Sequence, residues 1–547
     1  MSLKIALAQV NFHIGNFSKN KSKILESIEK GKKEKADLVV FPELAITGYP
    51  PRDFLEFEDF IRKSLLAVEE IAKSCKGISA IIGMPSINPN QKGKPLYNSA
   101  AFIHEGEIKN IIHKSLLPNY DVFDEYRYFE PNTVFEIIEL KGKKIALTIC
   151  EDIWDVEESQ LYTVNPMDEL MASDPDLMIN IAASPFNYEQ AERRENVLRR
   201  NTDKYHLPIF YVNHVGAQTE LLFDGGSMVM NPSGKVIDTM KYFEEDFKVY
   251  KLKDALNDKR ITEPSLLLKT GLIHDALIMG IKNYFQKLGF TKAIIGLSGG
   301  IDSAVTSVLA AKALGAENVY NVLLPSQYSS DHSVTDALQL VKNLKSPHDI
   351  ISIKDAYKTL ESNLNPFFKG KPFDVTEENM QARIRGVILM ALSNKFGYIL
   401  LNTSNKSETA VGYGTLYGDM NGGLSVLGDV YKTEVFELAR FINDKQEVIP
   451  ENIINKPPSA ELRPEQKDSD SLPDYDVLDN ILFLYIEKRL GPDEIIKQGF
   501  NADLVKSVLR LVNLNEYKRY QTPPILRVSD KAFGMGRRIP IVAKYLA

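Results

Sequence analysis

The run Gly296-Leu297-Ser298-Gly299-Gly300-Ile301-Asp302-Ser303 has the residue types for gripping an anion. Its glycines let backbone approach a ligand closely, and free N–H groups at a helix start favour negative charge. The run lacks the lysine of a Walker loop and the G-x-G-x-x-G spacing of dinucleotide folds. It offers instead the hydroxyls of Ser298 and Ser303 around the carboxylate of Asp302, a set suited to Mg2+ beside phosphate oxygens. Three further residues carry a different chemistry. Glu43, Lys114 and Cys150 each follow a short apolar run: Leu38-Val39-Val40-Phe41, Ile111-Ile112 and Ile145-Ala146-Leu147-Thr148-Ile149. A thiol nucleophile needs a base for its proton and a cation for the oxyanion, and Glu, Lys and Cys supply these. Spacing alone leaves open whether the three meet.

The elements that must position these groups follow from periodicity. In the first half, strands are expected at 5–10, 38–41, 80–82, 100–103, 145–149, 177–181, 209–212 and 227–230, with amphipathic helices at 20–34, 57–74 and 189–205. The turn Asn231-Pro232-Ser233-Gly234 predicts an antiparallel close. A charged stretch places a linker at 251–263, between an N-terminal domain 1–250 and a C-terminal domain 264–547. The second half restarts with a helix at 271–288. The strand 293–297 carries the glycine loop into a helix ended by Gly315, and further strands are expected at 319–324, 350–353 and 399–402. This is the pattern of a doubly wound parallel sheet. Residues 373–393 read as a helix, 457–475 as a mobile polar loop, and 324–333 as a loop over a nucleotide.

Lys plus Arg is 66 and Asp plus Glu is 73, a net charge of −7. That balance provides no electrostatic footprint for nucleic acid, so none is expected as a partner. Two cysteines exclude a disulfide framework. No signal peptide or membrane-length apolar run is read, so the expected compartment is the cytoplasm and no membrane partner is expected.

Resemblance adds to these readings. The S-G-G-x-D-S string resembles the pyrophosphate loop of ATP pyrophosphatases. Phe41-Pro42-Glu43-Leu44 with Thr47-Gly48-Tyr49, then Lys114-Ser115-Leu116-Leu117-Pro118 and Cys150-Glu151-Asp152-Ile153-Trp154, in that order, resemble the nitrilase (carbon–nitrogen hydrolase) superfamily. That likeness implies an α-β-β-α sandwich in which Cys150 attacks the carboxamide of glutamine, Glu43 is the general base and Lys114 stabilises the tetrahedral intermediate. Glu125 matches a further acidic residue of the site. Tyr120, Trp154 and Ser184 match glutamine-pocket positions, and Gln190 stands where a lysine is usual. A neutral amide there hydrogen-bonds a carboxylate without full charge.

In the second half, 379–386, 402–408, 417–419 and 429–433 resemble the NAD synthetase family. The closing stretches 517–524 and 533–538 fit its glutamine-dependent form. The resemblance implies a C-terminal ATP-pyrophosphatase fold (adenine nucleotide α-hydrolase-like) that takes ATP as substrate with Mg2+. It also implies deamido-NAD as the acid and L-glutamine or ammonia as nitrogen donor. Residues 296–303, Thr403 and Lys432 are then expected at ATP, and Asn379, Arg383, Glu408 and Lys518 at deamido-NAD. Asp302 and Glu408 are expected at the metal, so the role of Glu408 is shared between metal and dinucleotide. A homo-oligomer built through the synthetase domain is expected as well. Three rivals stay open from the residues: an RNA-modifying pyrophosphatase, an amidase with a regulatory nucleotide site, and a glutamine-fed synthetase with another acceptor acid.

Overall fold

The computed structural model describes residues 2–90, 92–156, 161–257, 268–464, 466 and 468–546. The chain divides into two compact units, Met1–Leu266 and Leu267–Ala547.

The first unit holds two six-stranded sheets. One runs in the order Asp246–Lys251, Lys4–Gln9, Leu38–Val40, Ser79–Ile87, Leu96–His104, Glu107–His113. The other runs Val236–Thr239, Met228–Met230, Ile209–Asn213, Leu177–Ala182, Lys143–Ile149, Ile138–Leu140. Strand alternation sorts the side chains of the first sheet between its faces. Ile5, Leu7, Leu38 and Val40 join Ile145, Leu147 and Ile179 of the second sheet in one core. Ala6, Ala8, Val39 and Phe41 pack with Ile24 and Ile28 of the helix Phe17–Lys33 and with Val68 and Ile71 of Glu58–Ala72. The second sheet is covered by Pro166–Met171 and Gln190–Tyr205, which supply Leu170, Leu198 and Tyr205. The result is the α-β-β-α sandwich. The expected antiparallel close is present, with Val229 opposite Asp238.

The second unit is built on a five-stranded, wholly parallel sheet: His348–Ile350, Val319–Leu323, Ala293–Gly296, Ile399–Asn402, Leu424–Ser425. The chain moves outward from Ala293–Gly296 in one direction, then returns to build on its other side. That reversal puts a crevice at the C-terminal ends of Ala293–Gly296 and Ile399–Asn402, where open α/β sheets take ligands. The helices Ile301–Leu314 and Lys432–Asn443 pack with Lys269–Leu288. Val375–Phe396 lies on the two central strands and opens with a capping box between Asp374 and Glu377.

Two of the departures from the expected boundaries have a local cause. The edge strand is His348–Ile350 rather than 350–353, because Ile353 is the buried N-cap of the helix Lys354–Phe368. Residues 252–255, at the start of the expected linker, form a short helix with Leu252 and Ala255 buried. The expected linker positions 258–263 lie outside the described residues.

Candidate active sites

In the first unit the expected trio sits at the C-terminal ends of its strands, and all three residues are buried. Lys114 follows Glu107–His113, and its N–H donates to the Asn98 carbonyl at 2.8 Å. Its Nζ donates to Glu43 Oε1 at 2.7 Å and to Glu125 at 2.8 and 2.9 Å. Asn98 Nδ2 bridges the same two carboxylates at 2.7 and 3.2 Å. The Ala183 N–H holds the other Glu43 oxygen at 3.0 Å, and Tyr49 donates to Glu125 at 2.8 Å. The loop carrying Glu43 fits because position 83 in the neighbouring strand is glycine: a Cβ there would lie 2.3 Å from the Leu44 nitrogen.

Cys150 opens a short 3-10 turn, Cys150–Ile153, with φ of +46°. A non-glycine residue in that region marks local strain, here at the proposed nucleophile. Asp152 clamps the turn by accepting the N–H groups of Ser115, Leu116 and Ile149, each at 2.9 Å. One carboxylate thus ties the segment after Lys114 to the segment carrying Cys150.

The electrostatics follow from burial. Loss of water pushes the Glu43 carboxyl up to about 7; Lys114 opposes the rise and Glu125 adds to it. Burial and the negative charge of Glu43 push the Cys150 thiol well above its ordinary range, against the pull of Lys114. Lys114 is held charged, because Glu125 and Glu43 outweigh its desolvation.

The expected pocket residues fall in three places. Tyr120 donates to Glu151 at 2.9 Å, as does Tyr162 at 3.1 Å, and burial raises Glu151 to about 6. Gln190 Nε2 donates to Ser184 Oγ at 3.2 Å, so these two meet. Trp154 ends the Cys150 turn and packs against the inter-sheet core. Tyr49, Glu151 and Asp152 are members of the family-like motifs but carried no role from sequence, and Asn98 and Tyr162 lie outside those motifs. Asn98 left one trace, a polar residue inside the apolar strand Leu96–His104.

In the second unit the glycine loop joins Ala293–Gly296 to the helix Ile301–Leu314. Ser303 Oγ donates to the Gly300 carbonyl at 3.0 Å and receives the Ser298 N–H at 3.3 Å; the Gly300 N–H donates to Ser298 Oγ at 3.1 Å. Gly299 has φ of +80°, and a Cβ there would strike the Ser333 carbonyl at 2.2 Å. Asp302 accepts from Asn405 at 2.9 Å and pairs with Lys432, which also reaches Glu408 at 3.2 Å. Burial, against the pull of Lys432 and with help from Asp302, pushes Glu408 up to about 8. Lys432 is held charged by Asp302 and Glu408, which outweigh its desolvation.

These groups line a cleft of about 1040 Å³ that also takes in Thr403, Asn379 and Lys518. Asn379 accepts from Thr415 at 2.6 Å, and Lys518 donates to the carbonyls of Gly412 and Gly414 at 2.8 and 2.9 Å. Arg383 is exposed and donates to the Leu416 carbonyl at 3.2 Å; of the two arginines on this helix it is Arg385 that lines the cleft, anchored on the Leu324 carbonyl at 3.0 Å. Lys406 and Arg519, open to reading as solvated surface charges, are buried instead, Lys406 against Asp429 and Glu487 and Arg519 against Glu516. Glu461, in the polar segment, accepts from Ser330 and Ser333, both at 2.7 Å.

Mg2+ fits this donor set as an ion held by one or two carboxylates and completed by phosphates and water. Asp302 and Glu408 share one ammonium, and the negative charge of Asp302 adds to the burial that raises Glu408. Among the described residues no group of three His, Cys, Asp or Glu is arranged to hold a metal, so phosphate oxygens would have to contribute. Among them also, no helix is long and apolar enough to cross a membrane.

Fold and geometry together define a carbon–nitrogen hydrolase unit joined to a nucleotide-binding unit of the NAD synthase type. Family models agree: carbon-nitrogen hydrolase over residues 4–255 and NAD synthase over 273–522. The chain is 45% identical to a glutamine-dependent NAD(+) synthetase of Synechocystis sp. and 41% identical to one of Thermotoga maritima, each over 99% of both chains. A solved glutamine-dependent NAD+ synthetase of Acinetobacter baumannii, in complex with ADP, is 40% identical, with TM-score 0.79 and 99% of each chain covered. The chain belongs to the glutamine-dependent NAD(+) synthetase family, a family of ligases.

Proposed function

We propose that the protein makes NAD from deamido-NAD, ATP and L-glutamine, releasing AMP, PPi and L-glutamate. In the first unit, Cys150 transfers its proton to Glu43 and attacks the glutamine carboxamide carbon. Lys114 faces the developing oxyanion, and Glu125 with Asn98 keeps the ammonium and Glu43 in register. Glu43 then delivers the proton to the departing ammonia. A second cycle of the same base, with water, releases glutamate from the thioester. A carboxyl poised at about 7 suits a group that must take and return a proton. Ser184, Gln190 and Tyr120 hold the rest of the substrate.

In the second unit, the deamido-NAD carboxylate attacks the α-phosphorus of ATP and PPi leaves into the 296–303 loop. Lys432 neutralises charge on the phosphates, Asp302 and Glu408 would hold Mg2+, and Thr403 contacts ATP. Bound Mg2+ would supply charge stabilisation at the phosphate oxygens. Asn379 and Lys518 address deamido-NAD, and Arg385, which lines the cleft, takes the part expected of Arg383. Ammonia then displaces AMP from the acyl adenylate. It travels within the protein, because ammonia released to neutral water is mostly protonated and no longer a nucleophile. The protein acts in the cytoplasm as a homo-oligomer through its second unit. Phe367, Val375, Val387 and Phe396, exposed on the helices Lys354–Phe368 and Val375–Phe396, support that association.

The observation that carries this reading is one chain holding both the buried Glu43–Lys114–Cys150 site and the Ser298–Ser303 loop beside Asp302 and Lys432. The test is a product assay with ATP, deamido-NAD and either glutamine or ammonium. NAD, AMP and PPi are expected with both donors; ATP split only to ADP would contradict it.

A further inference from the structure

A second cluster of titratable groups lies away from both sites, on the helices Lys269–Leu288 and Ile301–Leu314. His274 is buried, with its ring edge-on to Phe441 at 5.3 Å between centroids. Its Nδ1 lies 2.8 Å from Asp275 Oδ1, and its Nε2 lies 2.9 Å from Lys312 Nζ. Asp275 and Lys312 reach solvent.

Hydrogen-bond chemistry assigns the protons. A lysine ammonium has only donors and an ionised carboxylate only acceptors. Nε2 must therefore be the accepting nitrogen and Nδ1 the protonated one. A doubly protonated ring would point an N–H at the ammonium and lose the contact. The arrangement Lys312–His274–Asp275 thus has the order of a nucleophile, its base and the group that fixes the base's tautomer. Burial lowers the Lys312 ammonium further than Asp275 raises it, so the free amine is more available than on an ordinary surface lysine.

We propose that Lys312 is a reactive lysine, activated by His274 and oriented through Asp275, that accepts acyl groups from acyl phosphates. The Lys312 ammonium first gives one proton to solvent; the free amine Nζ then attacks the acyl carbon as a second proton passes to His274 Nε2. The new C–N bond forms, the C–O bond to phosphorus breaks, and inorganic phosphate leaves with the electron pair. The ring then returns its proton to solvent. Acylation removes the cation from the last turn of the helix that begins at the glycine loop.

The test treats the full chain with acetyl phosphate near pH 8 and follows each lysine by peptide mass spectrometry. Lys312 is expected to acylate about a hundredfold faster than exposed Lys358, the modest end of general-base assistance. His274→Gln, which removes the base, should bring Lys312 down to the Lys358 rate. Asp275→Asn, at an exposed position that leaves packing intact, should slow it about twofold to threefold by releasing the tautomer. Equal rates at Lys312 and Lys358 in the unsubstituted protein would overturn the proposal, as would a Lys312 rate unmoved by both substitutions.

Discussion

The two candidate sites set the same charges in different surroundings. In each, one ammonium serves two carboxylates: Lys114 with Glu43 and Glu125 in the first unit, Lys432 with Asp302 and Glu408 in the second. In the first the trio is enclosed, and Asn98, Tyr49 and the Ala183 N–H take up remaining acceptor positions. In the second it lines a wide cleft. The first is preorganised by its own hydrogen bonds; on the proposed function, the second is completed by the phosphates and cation of its substrates. Preorganisation supports bond cleavage without rearrangement, whereas an open cleft favours a site that assembles around its ligands.

The sharpest way to break this comparison is to disable one region and read the other. Cys150→Ala should lower glutamine-driven NAD formation at least about a thousandfold, since a covalent nucleophile has no substitute. Ammonium-driven synthesis should stay within about twofold. Steady-state rates with each donor check it, and parallel loss of both would break the separation of the sites. Asp302→Ala is the mirror experiment. AMP and PPi release should fall about a hundredfold or more, while glutamine hydrolysis persists.

A pH series sharpens the picture of the chamber. Its base must be the carboxylate, and burial lifts Glu43 to about 7. The kcat/KM for glutamine hydrolysis should therefore fall about tenfold per unit as pH drops below that value, and level off above it. The apparent value belongs to the coupled Glu43–Lys114–Glu125 cluster. A flat profile down to pH 5 would contradict the assignment. The smallest expected effect is at the pocket rim, where Gln190 donates to Ser184. Gln190→Lys should lower the KM for glutamine about threefold by adding charge to carboxylate capture; an unchanged or higher KM would reject that role.

Much of both sites could be read from sequence because their key residues stand where strands end. Glu43, Lys114 and Cys150 follow apolar runs, and the glycine loop sits between a strand and a helix. What resisted reading depends on tertiary pairing. Asn98 matters because it bridges carboxylates at positions 43 and 125, and nothing nearby in sequence signals that. Asp152 matters through its grip on Ser115 and Leu116. Lys406 looks like a surface charge until Asp429 and Glu487 fold around it. The edge strand His348–Ile350 is exposed along its length, so no burial pattern marks its register. Arg383 and Arg385 lie two positions apart on one helix, and only packing turns Arg385 into the cleft.

The central claim is that nitrogen freed at Cys150 is the nitrogen installed by the second unit. Its most direct test supplies glutamine labelled with 15N in the amide together with an excess of unlabelled ammonium, and measures the label in the NAD formed. Delivery within the protein predicts NAD carrying mostly 15N despite the excess. Label diluted to the ratio of the bulk ammonia pool would contradict the account.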